Sequence, residues 1–460
     1  MVVTIDPQMD WVEQEMQYLV LGDERLEERA RKIIRDFSQN PTASIPEFCG
    51  DWATTKAAYE FYKNPTAAPE RFLASQAQAT VQRVKGYEQI LILQDTTSFN
   101  FSSHPTTEGL GPLENEKCEG FLTHSCLAVT PEGIPLGLLA QQSWVRDENE
   151  LGKRHQRQQR TIEEKESYKW LQGVTDSTQA LPAETQAIVV SDRESDIFEY
   201  FVHPRPQQVD LLVRASWNRA LAEQTGHLWS AVSNSPVRGK ILVEVSRTAK
   251  QPARTAECQV QFKRVKLRPP KNRPAHQPKL EPVVLWAVLV REMNPPPGLD
   301  PLEWLLLTTL EINTFNQACQ LIEYYTRRWL IERFHFVLKS GCAVEQRQLA
   351  HGERLLRFLA LANIVAWRLL WQTYLGRVEG NLPCTAVLAE YEWKALYAFI
   401  HKTALIPTDI PSLNQAIRWI AQLGGFLGRK SDGQPGVKVL WRGWRRLFDI
   451  TQTWLLFNTS

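Results

Sequence analysis

"YYTRRWLIERFHFVLK", residues 324–339, decides how the rest of the chain is read. Its spacing predicts a helix that sets Tyr325, Arg328, Glu332 and Lys339 at offsets of 0, 3, 7 and 14. At 100° per residue these four fall within about 60° of one another. Leu330, Ile331, Phe334, Val337 and Leu338 take the opposite side. An acid, two cations and a phenol thus share one stripe, backed by an apolar one. Geometry alone leaves two readings open, a solvated helix face and a working site.

The whole chain sets bounds on both readings. Its 460 residues suffice for two to four domains with a real core. A hydrophobic content of 43% and a charged content of 23% are ordinary for a globular protein. Seven cysteines, an odd number with no C-x-x-C pair, argue for reduced thiols in a cytosolic protein rather than a disulfide frame or zinc site. The acidic N-terminus "MVVTIDPQMDWVEQEM" has no apolar run, so no signal peptide is expected. The most apolar long helix, 354–375, carries Arg357 and Arg368 and reads as a core helix rather than a membrane span. A net charge of +2 does not announce nucleic acid, so any case for DNA rests on where the charges sit.

Residues 1–70 read as short helices that stop at Asn40-Pro41 and Asn64-Pro65. From about 71 the pattern changes. "QILILQDTTSF" reads as a buried central strand, Ile90 to Leu93, that ends at Asp95. "CLAVTPEGIPLGLLAQQSWV" reads as a hairpin turning at Pro131-Glu132-Gly133, and a helix is expected over "TIEEKESYKWLQGV". "AIVVSD" is a second strand ending on an acid, Asp192; "DIFEYF" opens a helix and "VDLLVRAS" a further strand. Short strands with Pro-rich joints fill 217–300, a β-rich insertion, and "LEWLLLTTL" adds one more. After 341 the chain is mostly helical.

Asp95 and Asp192 thus stand at the carboxyl ends of two strands, where sites form in α/β sheets, and Glu332 stands on a helix. Singly, each has a plain alternative: an Asp after a strand is usually a turn residue or helix cap, and a helix Glu is usually solvated. Together, three hard oxygen donors suit Mg²⁺ or Mn²⁺ better than zinc. The element order β-β-β-α-β-α-β with a last acidic helix matches a ribonuclease-H-like arrangement.

The spacing Tyr325-x2-Arg328-x3-Glu332-x6-Lys339 is the Y-R-E-K signature of bacterial DDE transposases. A chance match at three fixed offsets has a likelihood of roughly one in several hundred. "ILQDTTSF", "VVSDRESDIFEYF", "NPPPGLDPLEWLLLTTL" and "IAQLGGFLGRK…LWRGW" accompany it in the expected order. The chain resembles DDE transposases of the insertion-sequence-four family from about residue 11 to 447.

That resemblance implies an α/β fold: a ribonuclease-H-like catalytic core at 71–345 with the β-rich insertion at 217–300. A helical DNA-end-binding domain (1–70) and a helical C-terminal domain for dimerisation (346–460) would flank it. It makes Asp95, Asp192 and Glu332 the catalytic triad that binds two Mg²⁺ or Mn²⁺ ions. Tyr325, Arg328, Lys339 and Arg214 become DNA contacts near the scissile bond, and Trp304 the indole that stacks on a flipped base. Arg25 and Arg29 match positions that contact transposon-end DNA, whereas Glu24 and Leu26 depart from a better-known member, so the end sequence need not be shared. The implied partners are the inverted repeats at the transposon ends, target DNA and a second copy of the chain, in the bacterial cytoplasm at the nucleoid. The basic stretches 153–160 and 262–274 suit phosphate contacts or solvated loops equally, and 437–446 reads as packing more than DNA contact.

Overall fold

The computed structural model describes residues 10–115, 117–150, 159–223, 225–245, 252–271, 279–429 and 432–458. Most of the basic stretch 153–160 and the end of 262–274 lie outside the described residues. The chain forms two compact units. One comprises Met1–Tyr87, Thr96–Glu148 and Leu330–Ser460, the other Glu88–Asp95 and Asn149–Trp329.

The first unit opens with helices α1 (Trp11–Met16), α2 (Glu24–Gln39), α3 (Ile45–Cys49), α4 (Trp52–Lys63) and α5 (Pro69–Val84). Asp10, Asp23 and Asp51 start α1, α2 and α4 by accepting hydrogen bonds from backbone N–H groups that have no partner within the helix. Asn40 and Asn64 end α2 and α4, as the Asn-Pro pairs require. Strand β1 (Gln89–Asn100) runs out of the second unit into the first. It is followed by β2 (Gly111–Pro112), β3 (Glu119–Val129) and β4 (Pro135–Trp144), which pair antiparallel in the order β2-β3-β4. The β3–β4 turn uses Gly133 at φ 99°, a conformation that favours glycine.

The second unit continues with α6 (Tyr168–Thr178), β5 (Gln186–Ser191), α7 (Phe198–Val202), β6 (Val209–Arg214) and α8 (Leu228–Ser233). Then come β7 (Val237–Val245), β8 (Arg254–Leu267), β9 (Val283–Glu292), β10 (Glu303–Thr308) and α9 (Phe315–Arg327). Its strands lie in the order β1-β5-β6-β10-β9-β8-β7. β1, β5 and β6 are parallel, and the remaining pairs are antiparallel. Ile90–Leu93, Ala187–Val190 and Leu211–Val213 are buried on both faces, which is why they read as unbroken apolar runs. The β-rich stretch is therefore continuous with the central sheet through the β9–β10 pairing. This mixed α/β sheet, with helical segments at both chain ends, is consistent with a ribonuclease-H-like core.

The first unit resumes with α10 (Trp329–Phe336), α11 (Gly352–Val378), α12 (Glu390–His401), α13 (Leu413–Leu423) and α14 (Val437–Asn458). The apolar window of α11 is long enough to cross a membrane, yet 89% of it is buried inside the protein. Arg357 donates to the Tyr62 carbonyl at 3.1 Å, and the Ala360 carbonyl accepts from Gln76 at 2.8 Å. Each large side chain that α11 buries, Phe358 and Trp371 among them, contributes roughly 1.5–3 kcal/mol. Residues 437–446 pack as expected: Leu440 and Trp441 are buried, and Arg446 donates to the Leu423 carbonyl at 2.9 Å.

Three expectations fail on local geometry. β1 does not end at Asp95 but continues to Asn100, because Thr96 to Phe99 extend the pattern of β-branched and aromatic residues. α6 begins at Tyr168, so the expected helix starts seven residues later, past the charged "TIEEKES". The opening stretch is not one straight helix. It tightens at Arg328, where α9 gives way to α10 with helical dihedrals kept and the N–H donating to Tyr325 O three residues back at 3.1 Å, then widens over Val337–Gly341 into a π-turn closed by Cys342 N donating to Val337 O at 2.7 Å. A uniform 100° rotation therefore does not carry the stripe from Tyr325 to Lys339. The apolar side holds: Leu330, Ile331, Phe334, Val337 and Leu338 are all buried.

Gly424 and Gly443 explain the glycines of "LGGF" and "LWRGW". A Cβ on Gly443 would stand 1.8 Å from the Ile420 carbonyl oxygen, and one on Gly424 would stand 1.8 Å from that of Val439. Backbones of α13 and α14 meet there with no room for a methyl. Gly443→Ala is expected to destabilise the chain by about 1–3 kcal/mol in urea unfolding, while Gly436→Ala, with no neighbour within 4 Å of its added Cβ, is expected to cost less.

Candidate active site

The site begins with strand register. β1 and β5 pair with Leu93 opposite Val190, and carrying that register two residues onward sets Asp95 beside Asp192. β5 and β6 pair with Ser191 opposite Val213, so the next step sets Asp192 beside Arg214. Register partners on parallel strands point to the same face, and neighbouring strands are about 4.8 Å apart. Asp95 within β1, Asp192 just past β5 and Arg214 at the end of β6 thus follow the paired segments of three adjacent strands of the second unit, a row in register terms.

Other side chains of that unit close on the row. Arg328, a buried residue, places Nη1 3.9 Å from Asp95 Oδ2. Tyr325 is buried beside Arg214 and Arg328, whose charges act on its phenol. Burial pushes the Tyr325 phenol up, and the two guanidiniums beside it partly offset the shift. Burial also pulls Arg214 down, and its Nη2 donates to the Glu303 carbonyl at 3.1 Å. Asp192 caps the turn after β5 by accepting from Glu194 N at 2.9 Å.

Trp304, on β10, is buried, with its ring edge-on to Tyr325 at a centroid distance of 5.2 Å. It also lines a cavity of about 760 Å³ shared with Arg193, Arg214, Trp229 and Arg254. Sequence reading singled out two of those residues and missed Arg193, Trp229 and Arg254, which lie in separate stretches with no motif to join them.

Glu332, Lys339, Arg25 and Arg29 belong to the first unit. Glu332 sits in the first turn of α10. Lys339 lies in the π-turn, where burial pulls its ammonium below the ordinary lysine value and Glu345, 4.0 Å away, partly restores it. Arg25 and Arg29 project from the first two turns of α2, Arg25 the more exposed.

Among the described residues no three His, Cys, Asp or Glu side chains gather at metal-holding distance. Asp95 and Asp192 nevertheless offer the donor chemistry a hard divalent cation takes, carboxylate oxygens, one within β1 and one just past the end of β5. The donor set fits Mg²⁺ or Mn²⁺ in kind.

Two comparisons bear on these segments. Residues 8–67, which hold α1 to α4, match the family described as transposase DNA-binding. Residues 364–452, from the second half of α11 into α14, match the Tn5 transposase dimerisation domain. The two matches support a Tn5-like transposase. In sequence the two matches flank the strands described above, and they support DNA and a second copy of the chain as partners.

"SDRESD" offers a second acid, and the transposase uses it for structure. Asp196 is buried, accepts from Ser216 N at 2.7 Å and Trp217 N at 2.9 Å, and pairs with Arg219 at 2.7 Å. It pins the loop that follows β6. Asp196→Asn is expected to cost about 3–5 kcal/mol in urea unfolding, because it leaves Arg219 buried without its counter-charge. Asp192→Asn is expected to leave stability within about 1 kcal/mol, since an asparagine oxygen caps the same turn.

Proposed function

We propose that this transposase moves a DNA segment by cut-and-paste chemistry at a metal-dependent carboxylate site. The observation that carries the reading is the row Asp95, Asp192 and Arg214, with Tyr325 and Arg328 gathered on it. Acids next to a cluster of arginines suit one substrate well, a phosphodiester approached by a cation. Asp95 and Asp192, with Glu332 as third ligand, would hold two Mg²⁺ or Mn²⁺ ions. Such ions activate an attacking oxygen and neutralise the leaving one in an in-line displacement.

The remaining residues bind and orient. Arg328 and Arg214 offer planar forks to phosphate oxygens, Tyr325 a hydroxyl donor and Lys339 a point charge. Trp304 provides an aromatic wall for a base flipped out of the duplex, with the neighbouring cavity as the space to receive it. Arg25 and Arg29 grip the inverted repeat at the transposon end.

The proposed reaction runs in four displacements at phosphorus. Water cleaves one strand at the transposon end and releases a 3′-hydroxyl. That hydroxyl attacks the opposite strand, which closes a hairpin and releases the flanking DNA. A second water reopens the hairpin, and the restored 3′-hydroxyl attacks target DNA. Each step exchanges one oxygen for another, so one site serves all four. A homodimer holding two ends in a synaptic complex would let each subunit bind one end and cut the other. The proposed setting is the bacterial cytoplasm, at the nucleoid.

Paired end duplexes incubated with Mg²⁺ and a target plasmid test the reading. Joined products are expected, and Asp95→Ala is expected to lower cleavage and joining together by on the order of a thousandfold, about 4 kcal/mol of barrier. Cleavage without joining would favour a plain nuclease; end binding without cleavage would favour a catalytically inactive DNA-binding regulator. Undiminished joining by Asp95→Ala would remove the site.

The lowered Lys339 pKa gives a pH test. A depressed ammonium loses its charge at a lower pH than an ordinary lysine, so a phosphate contact it makes weakens as pH rises toward 10.5. End-DNA affinity is expected to fall over that alkaline range in the native transposase and to fall less in Lys339→Arg. Equal alkaline loss in both would show that Lys339 does not meet the DNA.

A further inference from the structure

Two more departures from regular helix follow the π-turn that carries Lys339. Ala343 sits at φ 49° and ψ 41°, the left-handed region that a residue with a Cβ rarely enters. Val344–Gln346 then form a single 3₁₀ turn. Arg347 pins this run from inside the first unit. It is buried and donates to the carbonyls of Cys342 and Pro41, each at 2.6 Å, and to that of Ala43. A left-handed alanine persists only where its surroundings hold it, and such strain collects where a side chain must be aimed.

The side chain aimed here is that of Glu345. Its Oε1 accepts from the N–H of Asn100, the last residue of β1, at 2.8 Å. The same oxygen stands 4.0 Å from Lys339 Nζ. That ammonium also lies 5.6 Å from the ring centroid of Phe99, the residue before Asn100. Phe99 is fully buried, so its ring is a fixed wall. Lys339 is therefore held between an aromatic ring and a carboxylate, both tied to the end of β1. Its side chain stays 30% exposed, and an ammonium has three donors, of which Glu345 takes one at most. A lysine whose long stem is already held loses less freedom on meeting a phosphate than a free one does.

The electrostatics around Lys339 are simple. Among the described residues Glu345 is the acid within ion-pair reach of it. His335, one turn earlier on α10, is fully buried, and burial pulls its pKa down to about 3, so it stays neutral at and above neutral pH. A purely structural role for Glu345, as acceptor for Asn100 N, needs an oxygen but no charge. Holding the ammonium needs the charge.

We propose that Glu345 is a positioning residue, whose carboxylate holds the Lys339 ammonium in place for the DNA backbone. The role rests on Lys339 meeting a phosphate, as the proposed function has it. Glu345→Gln separates the two roles, because the amide oxygen still accepts from Asn100 N while the charge is gone.

The test measures the affinity of the full chain for a fluorescein-labelled duplex carrying the inverted repeat beside the gene. Titrations without divalent cation run from neutral pH up to about 10.5, with circular dichroism showing at each pH that the fold is kept. A carboxylate beside an ammonium favours its charged form. In Glu345→Gln the alkaline loss of affinity is therefore expected about half a pH unit or more below that of the native chain. A guanidinium at 339 stays charged over this range, so adding Glu345→Gln to Lys339→Arg is expected to leave the alkaline profile unchanged. A structural role would act alike on either background. An unmoved midpoint in Glu345→Gln, or the same displacement on both backgrounds, overturns the inference and leaves Lys339 on the DNA. Equal alkaline loss in the native chain and Lys339→Arg removes the phosphate contact itself, and the positioning role with it.

Discussion

The parallel register of β1, β5 and β6 is the constraint on which the candidate site depends. It runs through apolar segments, Ile90–Leu93, Ala187–Val190 and Leu211–Val213, that are buried on both faces. A one-residue shift would turn every side chain to the other face. Asp95, Asp192 and Arg214 ride on that register from the residues just beyond the runs. Two acids and a cation, more than a hundred residues apart along the chain from first to last, are drawn toward one another because hydrophobic burial fixes apolar runs that contain none of them.

The same economy of means separates the acids by role. Asp196 is buried, receives two backbone N–H groups and faces Arg219, so its charge is spent on holding a loop. Asp192 keeps one cap interaction and stays partly open. Asp95 has Arg328 nearby, a cation where the proposed chemistry calls for cations. Arginines dominate the surroundings. Arg214 and Arg328 meet through Tyr325, and Arg193 and Arg254 extend the charge along the cavity beside Trp304.

Much of this was legible in the sequence, and the reasons are specific. Unbroken apolar runs announced the central strands, Asn-Pro pairs announced the ends of α2 and α4, and the arginines of 354–375 announced a core helix rather than a span. Asp95 and Asp192 stood out because they follow such runs. What the sequence hid was geometry that departs from a repeating pattern. The tightened turn at Arg328 and the π-turn at Val337–Gly341 carry no composition signal, so a uniform helical wheel overreached. β1 outlasted its apolar run because Thr96 to Phe99 pair well enough to continue a strand. The Asp196–Arg219 pair and the wall formed by Arg193, Trp229 and Arg254 join residues that only tertiary packing brings together.

The central claim is that Asp95 and Asp192 hold a divalent cation beside bound DNA. Its most direct test is Mn²⁺ binding followed by electron paramagnetic resonance on the native chain and on Asp95→Asn, Asp192→Asn and Glu332→Gln. The account predicts saturable binding in the native chain, lost in both aspartate variants and weakened in Glu332→Gln. Native-like Mn²⁺ binding in a folded Asp95→Asn or Asp192→Asn variant would contradict it.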